Sequence, residues 1–145
     1  MNIQTAYSGE IDIETTNIIT FEHGIPGFEE EHDFVLLPIE DNEVFHVLQS
    51  IQTPALAFIV TNPYTITTNY NFDLEEATVH SLQIKEEKEV AVFAIVSLKE
   101  SIAESTINLK APIVLNTNNN KAKQVILNND DYSIRHLISN ESQKG

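Results

Sequence analysis

The sequence predicts a mainly β fold: a small antiparallel β-barrel-like single domain over residues 1–145, with one or two short helices. Three observations carry that reading. The apolar runs are short, rich in Val, Ile and Phe, and separated by Asn, Asp, Pro or Gly. Two of them, Leu56 to Val60 and Val90 to Val96, are continuously apolar, as in strands covered on both faces. Others alternate, as Ile11 and Ile13 do between Glu10, Asp12 and Glu14, so that one face meets the core and the other meets water. Mixed burial of this kind implies a sheet curled on itself.

The elements follow in chain order. Strands are expected at Ile3 to Tyr7, Glu10 to Glu14 and Ile18 to Phe21. Gly24-Ile25-Pro26-Gly27 then combines two of the four glycines with a proline, the chemistry of a bend that needs positive φ. Phe34 to Ile39 and Val44 to Ser50 flank Glu40-Asp41-Asn42-Glu43, which reads as a hairpin loop. Leu56 to Thr61 ends at a turn carrying Asn62 and Pro63. Asp73 to Gln83 is expected as an amphipathic helix with Leu74, Ala77 or Thr78, and Leu82 on one face and Asp73 as N-cap. Val90 to Leu98, Thr106 to Lys110, Ile113 to Asn116 and Gln124 to Leu127 complete the strands, with Pro112 at a turn and Asn116 to Asn120 as a second hairpin loop. A further helical turn is expected over Asp131 to Leu137, capped by Asp130 or Asp131, before a polar, flexible tail of about six residues.

Charge is distributed unevenly. The first 84 residues hold 14 acidic side chains and neither lysine nor arginine; the first basic residue is Lys85. The formal net charge of the whole chain is -14. A field of that sign repels nucleic acid and anionic lipid and steers basic protein surfaces. The bland alternative is that the acidity serves only to keep a small protein soluble and monomeric. The absence of cysteine removes disulfides, thiolate zinc sites and cysteine nucleophiles. With no basic and apolar leader and no run of about 18 apolar residues, the expected location is the cytoplasm.

No pattern points to catalysis, a cofactor or a metal. The histidines at 23, 32, 46, 80 and 136 lack the i, i+4 spacing of a zinc helix. Nucleophile-elbow, P-loop and dinucleotide fingerprints are missing, and the plentiful carboxylates single out no acid/base pair. The densest charge cluster is Glu29-Glu30-Glu31-His32-Asp33, directly after Phe28. It reads either as a solvated loop or as a docking edge, an aromatic ring that buries in a partner while rim carboxylates orient a basic surface.

Three ordered blocks carry a resemblance. Ile19-Thr20-Phe21-Glu22-His23-Gly24-Ile25-Pro26-Gly27-Phe28-Glu29 comes first; Phe45 to Ser50 follows, leading to Pro54 to Phe58 and Val60-Thr61-Asn62-Pro63; Asn108 to Asn116, Gln124 to Leu127, Tyr132 and Arg135-His136 close it. Over nearly the whole chain these blocks resemble the FliW family of flagellar assembly factors. The resemblance implies a small antiparallel barrel with no enzymatic activity. It implies two mutually exclusive partners, the RNA-binding translational repressor CsrA and flagellin, so that antagonism of CsrA frees flagellin translation until flagellin sequesters the regulator. A flagellin-specific chaperone is the alternative. No direct contact with nucleic acid or membrane is expected, and the free protein is expected to be monomeric. The residues assigned to CsrA are Phe28, Glu29, Glu30, Glu31 and Asp33, with Glu40, Asp41 and Glu43 as a second acidic edge. Gly24, Pro26, Gly27, Asn62, Pro63 and Pro112 are assigned to turns, and Arg135 to an internal ion pair or support of the C-terminal strand.

Overall fold

The computed structural model describes residues 1–67, 69–128 and 132–138. Strands β1 (Asn2–Gln4) and β2 (Glu10–Asp12) form an antiparallel hairpin of their own. Nine further strands share one sheet: β3 (Ile18–Phe21), β4 (Asp33–Ile39), β5 (Asn42–Ser50), β6 (Ala57–Thr61), β7 (Val90–Ser97), β8 (Thr106–Ile107), β9 (Ile113–Asn116), β10 (Lys121–Gln124) and β11 (His136–Leu137). The helix α1 (Glu76–Ser81) lies between β6 and β7. Because β7 pairs with β6 on one side and β9 on the other, the order β7-β6-β5-β4-β3-β10-β9 closes into a seven-stranded barrel. Its pairings are antiparallel apart from β3 with β10.

The continuous apolar runs are resolved by two cores that share strands. Ala91, Phe93 and Ile95 of β7 face the barrel interior with Phe21, Phe34, Leu48, Val60, Ile113 and Leu115. Val92, Ala94 and Val96 face outward and are covered by Tyr70, Phe72, Ile107, Leu109, Leu127, Tyr132 and Ile138. The β1–β2 hairpin covers the outer face of β4 in the same way, through Ile3 and Ile13 against Val35. The barrel interior is a packed core, with a cavity of about 10 Å³ between Phe21, Leu36 and Phe93. Pro38 is accommodated because β3 pairs only with Asp33 to Val35, and the register of β4 on β5 shifts beside it.

Several boundaries differ from expectation, each for a local reason. Strand β1 stops at Gln4 because the Thr5 amide and hydroxyl both donate to the Gly9 carbonyl, turning the chain, and β2 ends at Asp12 rather than Glu14. The helix begins at Glu76 with Glu75 as N-cap, not at Asp73, since Phe72 is drawn into the outer core and the chain before α1 runs without helix. β8 is two residues long, and Asn108 Oδ1 accepts from the Lys110 and Ala111 amides to form a turn instead. β10 occupies Lys121–Gln124, earlier than expected, because the tight Asn116 to Asn120 turn sets Lys121 opposite Asn116. The helical turn expected over Asp131 to Leu137 is replaced at its end by β11, which pairs with β8; its caps, Asp130 and Asp131, and the polar tail lie outside the described residues.

The helix is tied to the barrel by one buried amide. Asn116, fully buried, donates from Nδ2 to the Leu82 carbonyl at 2.8 Å and the Gln83 carbonyl at 3.2 Å, while its Oδ1 accepts from the Asn118 amide. The Leu82 carbonyl also accepts from Asn119 Nδ2 at 3.1 Å, so Asn116→Ala removes one of its two side-chain donors and the one on the Gln83 carbonyl, and we expect a stability loss of about 1–3 kcal/mol in denaturant melts. Faster amide exchange in α1 should accompany it, because the anchor is local.

Candidate partner-binding surface

The Gly24 to Phe28 segment folds back over one end of the barrel. The Phe28 amide donates to the Ile25 carbonyl at 2.6 Å, with Pro26 and Gly27 at the central positions and Gly27 at φ +89°, the pattern of a type II turn. Gly24 sits at φ +70°, where a Cβ would lie 2.5 Å from the Glu29 carbonyl oxygen. The turn sends its two large apolar residues in opposite directions. Ile25 plugs the barrel interior at 2% exposure, whereas Phe28 remains 43% exposed and lays its ring edge-on against Phe58, 5.6 Å between centroids.

The carboxylates that follow have different roles. Glu30 is exposed, and Glu29 is exposed with Oε2 accepting from the Gly27 amide at 2.8 Å. Glu31 departs from the expected rim contact. It is half-buried, and its two oxygens accept from Ser50 Oγ and Thr53 Oγ1, both at 2.6 Å, which clamps the turn to the loop after β5. These hydroxyls, Ser50 first, hold its carboxyl below the usual carboxylate value. Asp33 is exposed and accepts from Thr20 Oγ1 at 3.2 Å. Glu40, Asp41 and Glu43 are exposed at the β4–β5 hairpin tip, with Asp41 at φ 61°. β4 runs between the two acidic groups, so they lie about 20 Å apart along the strand and do not merge into one patch.

The remaining assigned residues shape the chain. Asn62 Oδ1 accepts from the Tyr64 amide and caps a short turn begun by buried Pro63. Pro112 is buried and its carbonyl accepts from the Val125 amide. Arg135 is exposed, and no ion pair to it is found among the described residues. His136 Nε2 is enclosed without a hydrogen-bond partner there. Among the described residues no three His, Asp or Glu side chains converge as a metal site, and no helix is long and apolar enough to cross a membrane.

One surface escapes the sequence reading. A groove of about 530 Å³ separates residues 71–75 from 123–128, with Phe72, Leu74, Val125, Ile126 and Leu127 among its lining. Its one sequence signal is the apolar run Val125-Ile126-Leu127, which continues past the end of β10.

Two outcomes test the turn. Gly24→Ala places a Cβ against backbone at positive φ, and a loss of at least about 2 kcal/mol is expected in thermal melts. Glu31→Gln should lower stability at pH 7 by on the order of 1 kcal/mol, since solvent reaches part of the clamp. The Glu31 value is lowered in the folded state, so its contribution is present above the ordinary value of 4.5 and is lost as pH falls through the folded value. The gap between wild type and variant should therefore narrow as pH falls below 4.5 in a pH series of melts.

Comparison with known proteins agrees with this geometry. The family model described as "FliW protein" matches residues 2–138. A flagellar assembly factor FliW from Oceanobacillus iheyensis is 52% identical over 100 residues, covering 69% of this chain and 68% of the relative. One from Geobacillus sp. (strain WCH70) is 46% identical over 100 residues, covering 69% of each. A crystal structure of the flagellar assembly factor FliW superposes with a TM-score of 0.91 at 42% identity, covering 95% of this chain and 96% of that one. With the family model spanning both barrel and turn, and a solved barrel of the same form, the chain belongs to the FliW family.

Proposed function

We propose that this chain serves flagellar assembly as a non-enzymatic cytoplasmic regulator that binds and antagonises the translational repressor CsrA. Antagonism relieves repression of flagellin translation, and flagellin competes for the same protein, so unsecreted flagellin restores repression. Family membership supports the role in assembly. The observation that supports a cationic partner is the Phe28 ring, 43% exposed and framed by Glu29 and Glu30 on a turn clamped to the barrel. A ring so presented buries in a partner at little ordering cost, because its backbone is already fixed. An RNA-binding protein presents Lys and Arg to phosphates, so an acidic protein docked beside that surface repels RNA without imitating it.

Calorimetric titration with CsrA at two salt concentrations, repeated with saturating flagellin, tests the reading. Tight binding that weakens with salt and disappears with flagellin is expected. No heat with CsrA, beside clear binding to flagellin, would leave a flagellin chaperone as the account. Glu29→Lys combined with Glu30→Lys should slow association several-fold at low salt while shifting stability by less than about 0.5 kcal/mol. Phe28→Ala should cost about 1 kcal/mol of stability, because its ring is only partly covered, and more than that in CsrA affinity. Melts set beside the titrations separate the two effects.

A further inference from the structure

We propose that the open edge at residues 124–128 accepts an extended segment of a partner protein as an additional strand, and that this segment alternates apolar and basic residues. The surface shares no residue with the Phe28 turn, and the inference does not rest on CsrA binding. β10 pairs with β3 only at Lys121 and Ala122, after which no strand among the described residues takes up that side. On the opposite side the ladder continues, the Val125 amide donating to the Pro112 carbonyl at 2.9 Å and the Leu127 amide to the Lys110 carbonyl at 2.8 Å. Backbone groups alternate sides along a strand, so the amide and carbonyl of Ile126 point away from that ladder. They make no hydrogen bond among the described residues, and the Ile126 side chain is 60% exposed. Exposed edges of this kind are ordinarily blunted by charge, proline or a covering loop, because they template pairing.

The far wall of the groove is already built. The Tyr132 hydroxyl grips Asn71 twice, accepting from its amide at 2.7 Å and donating to its carbonyl at 2.6 Å, which holds the start of residues 71–75 in place. Phe72 and Leu74 supply apolar lining, while Asp73 and Glu75 stand against Lys123 as the only cation in the lining. The excess of carboxylate there, on a chain of net charge -14, selects a basic occupant. Strand addition to an edge draws affinity from main-chain hydrogen bonds and specificity from alternate side chains. An incoming strand would thus set one row of side chains on Phe72, Leu74 and Ile126 and offer the other row to Asp73 and Glu75.

The probe is a fluorescein-labelled Lys-Val-Lys-Ile-Lys-Val-Lys amide, titrated against the full chain by fluorescence anisotropy. A copy N-methylated at every backbone amide keeps charge and side chains but has no N–H to donate to the Ile126 carbonyl. The parent should bind at least about 10-fold more tightly than the methylated copy, and slow amide exchange at residues 124–128. Ile126→Pro removes the edge amide while leaving the Val125 and Leu127 donors, and should weaken the parent about 10-fold, with Ile126→Ala weaker in effect. If melts show that Ile126→Pro does not fold, Asp73→Lys with Glu75→Lys decides: weaker binding with a shallower salt dependence supports the site. Equal binding of the two peptides, protection elsewhere on the chain, or no binding would overturn the proposal.

Discussion

The barrel depends on β7. From Val90 to Val96 the chain offers no polar side chain, so neither face of that strand can be left to water. Burying such a side chain contributes roughly 1.5–3 kcal/mol, and β7 contributes to two cores at once. One face closes the barrel, which requires a neighbour on each side, supplied by β6 and β9. The other face requires an outer layer, which is why Phe72, Leu109, Leu127 and Ile138 are recruited from four separate stretches of chain. Placing Phe72 in that layer draws the chain out straight before α1, and this geometry leaves a groove beside residues 123–128.

The barrel end follows a parallel logic with polar groups. Gln49 and Ser50 are fully buried, and both are spent on loops. Gln49 accepts from the Ala6 amide and donates to carbonyls of Ser50, Pro54 and Leu56, so it joins the N-terminal hairpin to the loop after β5. Ser50 extends the same loop to Glu31. A network with its donors and acceptors filled specifies one arrangement, whereas a half-filled one would cost more than an apolar core. Ile25 can be inserted and Phe28 presented outward because this network and the two glycines leave the turn little choice.

What could be read from the sequence was what depends on neighbours close in the chain. Strand positions, the Gly24 to Gly27 bend and the β4–β5 hairpin follow from alternation and turn chemistry, and so does the double burial of the Val90 to Val96 run. Glu31 could not be separated from Glu29 and Glu30, since its partners lie 19 and 22 residues away and only the closed barrel brings them near. The start of α1 is not legible in the sequence, because Leu74 has helical spacing to Thr78 and Leu82, while the burial of Phe72 overrides propensity. β11 is two residues of a strand held wholly by β8, too short to carry a pattern.

The acidic surface acts as separate patches, and that bears on what it can recognise. The ion pairs found among the described residues, the N-terminus with Asp12 and Lys88 with Glu86, join exposed groups and leave the Phe28 turn and the hairpin tip uncompensated. At physiological ionic strength the screening length is about 8 Å, well short of the roughly 20 Å that β4 sets between those patches. At about 0.01 M salt it reaches about 30 Å and the two act as one field. A partner covering only the Phe28 turn therefore feels the hairpin tip at low salt alone, whereas one long enough to span β4 meets both under cellular conditions. The steepness with which association falls between those salt concentrations thus reports how much of β4 the partner covers, a length that charge counting along the sequence does not contain.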